Sequence, residues 1–157
     1  MARIPITTEG YTRLKKELER LKTVERKEVV AAIAEARSHG DLSENAEYDA
    51  AKERQGMIEA RIGELEGKIG RFQVIDTSTI SSDKVVFGAT VVIENIETEE
   101  QKTYKIVGPD EANISNGTIS IMSQLARALV NKKVGDEALV VAPGGEREYE
   151  ILEVKYK

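Results

Sequence analysis

Four carboxylates fall within nine residues of the chain, at Asp41, Glu44, Glu47 and Asp49, inside the stretch SHGDLSENAEYD. Carboxylates in such a group have two uses. Asp41-x-x-Glu44 has the spacing of a capping box, in which the first side chain accepts from a first-turn amide and the second folds back. Acidic residues also suit the positive end of a helix dipole. Alternatively, Asp41 and Glu44 are two hard oxygen donors on a narrow tip. Mg²⁺ is usually held by one or two carboxylates together with waters and phosphates, so this pair would hold it only as part of a larger ligand set supplied by a partner. Ser43 competes with Asp41 as helix cap, and its hydroxyl could orient a water. Behind the tip lie Arg37 and Lys52, placed either to contact a phosphate backbone or to form ordinary surface pairs. His39 reads as a solvated turn residue, and Tyr48 as half-buried packing.

The flanking patterns say what carries these residues. Leu14, Leu18 and Leu21, then Val29, Ile33 and Ala36, form an apolar helical stripe that lapses around Glu25 and Glu28, where a local break is expected. Thr7 or Thr8 can cap its start, and Gly40 suits the left-handed position beyond its end. A second stripe follows at Ile58, Ile62, Leu65, Ile69 and Phe72, with Ala46 and Ala50 extending it towards the turn opposite Ala32 and Ala36. Two long helices joined by a short turn run antiparallel. Arms of about 30 residues make a rod about 45 Å long at the helical rise per residue.

Residues 74–83 read as a linker. Beyond it the period changes to β-branched runs bounded by Gly, Pro, Asn and Asp, with one short helix in SQLARALVN capped by Ser123. The fold class is therefore α+β. A coiled-coil hairpin occupies 1–75, and a small, mostly antiparallel sheet domain with one helix occupies 80–157.

Composition narrows the function. There is no cysteine and one histidine, which excludes thiolate metal sites, cysteine nucleophiles and a His-based pair, and fits a reducing cytoplasm. Aromatics are 4% with no Trp, too few for a base-stacking platform. Residues 1–75 balance 14 Lys+Arg against 14 Asp+Glu, and residues 76–157 hold 9 against 14, so neither half leaves the basic footprint of a free-standing DNA binder. No apolar run is long enough for a signal peptide or a membrane span.

The run EARSHGDLSENAEYDAAKERQ closely resembles the signature of the bacterial transcript cleavage factors of the Gre family, in its GreA-type branch. The likeness continues in order through VVFGATVVI, YKIVGPDEAN, GTISIMSQLARAL, KKVGDEALVVAPGG and YEILEVKY. The resemblance implies an N-terminal antiparallel coiled coil and a C-terminal domain similar to FKBP-type isomerases. It implies that the second domain docks on RNA polymerase at the rim of its secondary channel while the coil reaches the active centre. There Asp41 and Glu44 would help hold a Mg²⁺ shared with the polymerase, and Arg37 and Lys52 would contact the 3′ end of backtracked RNA. The polymerase, not this chain, would then cleave the transcript, and the factor would act as a cytoplasmic monomer. Two positions depart from the family pattern. Gln124 follows Ser123 where the family has Pro, in the docking domain. Lys27 follows Arg26 where the family has Pro, which predicts a straighter first arm.

Three rival readings remain at this stage. A Gre homologue that blocks the channel would not carry this acidic tip. A prolyl isomerase needs an aromatic pocket, and residues 76–157 hold only Phe87, Tyr104, Tyr149 and Tyr156. A structural adaptor would leave the tip without a role.

Overall fold

A computed structural model describes residues 2–40 and 45–156. They form two compact units, Tyr11–Phe72 and a second one joining Ala2–Gly10 to Gln73–Lys157.

The first unit is the helical hairpin. Its first arm runs through α1 (Thr8–Arg20), a π-helical turn (Leu21–Glu25) and α2 (Arg26–Ser38), and its second arm is α3 (Ala46–Ile69). The π-turn lies where the apolar stripe lapses, and the burial pattern explains it. The buried residues of the first arm are Leu14, Leu21, Val29 and Ala36, spaced seven, eight and seven. A strict heptad continuing from Leu21 would bring Glu28 and Glu35 to the seam. One wide turn inserts the extra residue that brings Val29 and Ala36 there instead. The straighter arm expected from Lys27 is thus not a regular helix, because a π-turn ends immediately before Arg26.

On α3 the buried seam is Ala51, Ile58, Ile62 and Leu65, followed by Phe72. This corrects the reading of Ala46 and Ala50 as seam residues. Both are exposed, and the stripe reaches the turn through Ala51 and the half-buried Tyr48 and Asn45. Stepping back from Ile58 by three or four residues meets Gln55, Ala51, Tyr48 and Asn45, whereas Ala46 and Ala50 lie on a different face.

Ion pairs flank this narrow seam and fix the register of the arms. Arg61 donates two hydrogen bonds to the Glu17 carboxylate, at 2.7 and 3.0 Å. Arg26 holds Glu59 in the same forked way, both contacts at 2.8 Å. Lys22 reaches Glu66 at 3.1 Å and Arg54 reaches Glu28 at 3.5 Å. Planar guanidinium forks specify geometry as well as charge, which suits them to setting register.

The second unit is built on a five-stranded sheet in the order β5-β4-β3-β7-β6. Its strands are β3 (Ala89–Asn95), β4 (Gln101–Val107), β5 (Thr118–Ser120), β6 (Glu137–Ala142) and β7 (Gly145–Tyr156). All neighbours are antiparallel except β4 and β5, a parallel pair that the sequence pattern did not reveal in a strand of three residues. Alternate residues Ala89, Val91 and Ile93 of β3 face a core completed by Ile106, Ile119, Ile151, Val85 and two residues of α4 (Gln124–Leu129), Ala126 and Leu129. Ser123 caps α4 as expected, accepting from the Ala126 amide at 3.2 Å. Gln124 donates a side-chain hydrogen bond to the Val141 carbonyl of β6.

The N-terminal residues 2–10, expected with the hairpin, pack in this second unit. The strand β1 (Ile4–Thr7) pairs with β2 (Phe72–Ile75), and Glu111 anchors it. The buried Glu111 carboxylate accepts from the amides of Thr7 and Gly108, both at 2.8 Å, and from the Thr7 hydroxyl. The Thr7 hydroxyl oxygen in turn accepts from the Gly10 amide at 3.0 Å, so Thr7 is the cap of α1. A buried carboxylate needs such partners, because leaving it without them would cost several kcal/mol. Any side chain at Gly10 would strike Glu111, and one at Gly108 would strike the Pro5 carbonyl. The segment read as a linker is also partly ordered. Val74 and Ile75 belong to β2, and Asp76 caps a short 3₁₀ turn (Thr77–Thr79) by accepting from the Ser78 amide at 3.0 Å. Thr77 is buried against Gly88, whose φ of +91° and close approach leave no room for a Cβ.

Candidate functional site

The acidic tip is bracketed by two well-defined helix ends. The first arm closes at His39, whose amide donates to the Ala36 carbonyl, and Gly40 turns the chain at φ +89° after donating to Arg37 at 3.1 Å. This is the left-handed position read from the sequence. The second arm opens at Asn45, whose side-chain oxygen accepts from the Tyr48 amide at 3.0 Å. Its amide nitrogen donates to the Ala36 carbonyl of the opposite arm at 2.7 Å. One half-buried side chain therefore caps α3 and ties it to the last turn of α2.

Asp41, Ser43 and Glu44 lie outside the described residues. What the structure does correct is the expectation that Asp41 or Ser43 caps the second helix, since Asn45 holds that position. Sequence reasoning missed Asn45 although the signal was present: Asn is among the preferred caps. It was masked by two equally suitable caps just upstream, and choosing among them requires the opposite arm's Ala36 carbonyl.

The basic residues are exposed on either arm. Arg37 lies in the last turn of α2 and pairs with no described carboxylate. Lys52 donates to Gln55 at 3.2 Å and likewise meets no described carboxylate, so the surface pairing expected for it is with an amide. Arg54, two residues further along α3, is occupied by Glu28. His39 and Glu47 face each other across the turn at 3.4 Å, a contact that becomes an ion pair when the imidazole is protonated. Among the described residues no group of three or more His, Asp or Glu side chains is arranged to hold a metal. The donor chemistry of Asp41 and Glu44 fits Mg²⁺, a hard cation that takes oxygen ligands, with most of its shell supplied from outside the chain. No described helix is long and apolar enough to cross a membrane.

Comparison with known proteins agrees with both halves of this architecture. Residues 4–74 match the family described as transcription elongation factor, N-terminal, and residues 80–156 match transcription elongation factor, GreA/GreB, C-term. The chain is 58% identical, over the full length of both sequences, to transcription elongation factor GreA of Hyphomonas neptunium. It is 59% identical to GreA of Neisseria meningitidis serogroup A over 99% of each. Among solved structures, GreA factor homolog 1 of Thermus thermophilus is 28% identical over 98% of this chain and 99% of that one, with a TM-score of 0.44. A GreA/GreB factor of Nitrosomonas europaea is 23% identical over 99% and 100%, with a TM-score of 0.43. These superpositions are loose, so the assignment rests on the sequence matches: the chain belongs to the Gre transcription elongation factors, of the GreA type.

Proposed function

We propose that this elongation factor acts by bringing two carboxylates, on the tip of its hairpin, to the active centre of RNA polymerase. The observation that carries the proposal is the clamp at Asn45. Because Asn45 caps α3 and ties it to Ala36, neither Asp41 nor Glu44 is needed to start the helix, and both are available as ligands.

In this reading the hairpin enters the polymerase secondary channel while the sheet domain docks at its rim. Asp41 and Glu44 would hold a Mg²⁺ shared with the polymerase, and Ser43 would position a water. Bound there, the ion supplies an activated water and offsets charge on the leaving oxygen of the phosphodiester. Arg37 and Lys52, which meet no described carboxylate, hold the phosphates of the backtracked RNA 3′ end. The register-setting ion pairs keep the arms from sliding, so the tip is presented at a fixed depth. The polymerase carries out the cleavage, and the factor, a cytoplasmic monomer, is not an enzyme alone.

The test is the double substitution Asp41→Asn, Glu44→Gln. With Asn45 intact the hairpin stays folded and polymerase binding persists, while shortening of RNA in backtracked complexes falls by about a hundredfold or more. Full cleavage by the double variant would end the proposal. Inhibition of the polymerase by the unaltered protein without RNA shortening would instead favour a channel-blocking homologue.

A further inference from the structure

We propose that the hairpin carries a second interaction surface, remote in sequence from the tip, which takes an acidic amphipathic helix of a partner protein. The surface is a groove of about 610 Å³ on the hairpin unit, lined by the first arm from Tyr11 to Thr23 and by Ile69 of the second arm. Tyr11, Lys15, Leu18 and Lys22 follow one another at four, three and four residues, so they form a single stripe beside the buried Leu14 and Leu21. Tyr11, Leu18 and Ile69 supply the apolar wall, and Lys15 and Lys16 supply two positive charges beside Glu19 and the Lys22 that pairs with Glu66.

Not all the charges on this groove are met within the hairpin. Arg20, Lys22, Arg26, Arg54 and Arg61 each have a carboxylate within 4 Å. Lys15 and Lys16 pair with no described carboxylate, and Lys15 lies over the Tyr11 ring, 5.4 Å from its centre. Unpaired cations bordering an apolar groove between two helices are what a third helix needs. Its apolar residues would continue the seam, and its carboxylates would take the positions that flanking charges hold in a coiled coil.

Charge complementarity therefore selects an acidic helix. A single-stranded nucleic acid fits less well, because the Tyr11 ring is already engaged, by Lys15 over its face and by Phe72 in an edge-on contact at 6.2 Å. The proposal is independent of the tip chemistry.

The test uses the full chain and a labelled 21-residue peptide with Leu at the a and d positions and Glu at the e and g positions of three heptads. Like charge on its own e and g positions keeps the peptide from pairing with itself. Fluorescence anisotropy should show saturable binding of this peptide and much weaker binding of a version with Lys for Glu. The Lys15→Glu, Lys16→Glu variant should reverse the preference, weakening the acidic peptide about tenfold, as two charge pairs allow. Methyl signals of Leu18 and Ile69 should shift on titration. Equal binding of both peptides, no binding of the acidic peptide at millimolar concentration, or affinity unchanged in the variant would each overturn the proposal. So would lysine-dependent binding of a 20-nucleotide RNA in place of the peptide.

Discussion

The two units hold together by different means. In the sheet unit, Val85, Ala89, Val91, Ile93, Ile106, Ala126, Leu129 and Ile151 form one continuous apolar cluster, most of it with no exposed surface. Among the described residues of the hairpin, only one row of each arm is buried, and carboxylate–cation pairs fill the flanks. A two-helix rod has no interior in which to place more. Its stability is therefore distributed along its length, while its register is set by direction-specific contacts.

The comparison can be broken most forcibly in the sheet core. Ile151→Ala removes a fully buried side chain and should cost the sheet unit about 2–5 kcal/mol. Hydrogen exchange should show lost protection in β3 and β7 with α3 little changed. Equal loss in α3 would mean that the two units unfold as one. A smaller effect is expected at the tip clamp. Asn45→Ala removes both a helix cap and a cross-arm hydrogen bond, together about 1–2 kcal/mol. The faster exchange should be confined to the ends of α2 and α3 next to the turn, and uniform acceleration along both arms would contradict the local role.

The smallest expected effect is at the flanking charges. The Arg61 guanidinium, hydrogen-bonded to Glu17 and assisted by its charge, holds that carboxyl below its ordinary value of 4.5 despite partial burial. A carboxyl whose folded value is depressed binds fewer protons in the folded state. The pair's contribution is thus complete above the ordinary carboxylate value and is lost as pH falls through the lower folded one. The side chains are each 38% exposed, so solvent screens the pair to less than about 1 kcal/mol. Glu17→Gln should lower hairpin stability by about that much at pH 7 and leave it less sensitive as pH falls below the ordinary carboxylate value, measured by chemical denaturation. An unchanged acid profile would show that Arg61 and Glu17 set register without contributing stability.

The sequence alone determined the arms, the lapse near Glu25, the change of period beyond residue 83, the cap at Ser123 and a first cap at Thr7 or Thr8, because these depend on neighbours within a turn or two. It also carried the family through GDLSENAEY. Only the tertiary structure decided the rest. Ala51 rather than Ala46 or Ala50 is buried because the facing arm chooses which stripe of α3 becomes the seam. Asn45, one of several suitable residues, is the cap, and its side-chain nitrogen also meets the Ala36 carbonyl of the facing arm. The first strand belongs with the sheet unit because Glu111, more than a hundred residues away in sequence, offers the acceptor that the Thr7 amide and hydroxyl require. Each of these outcomes depends on a partner distant along the chain, and local periodicity carries no information about such partners.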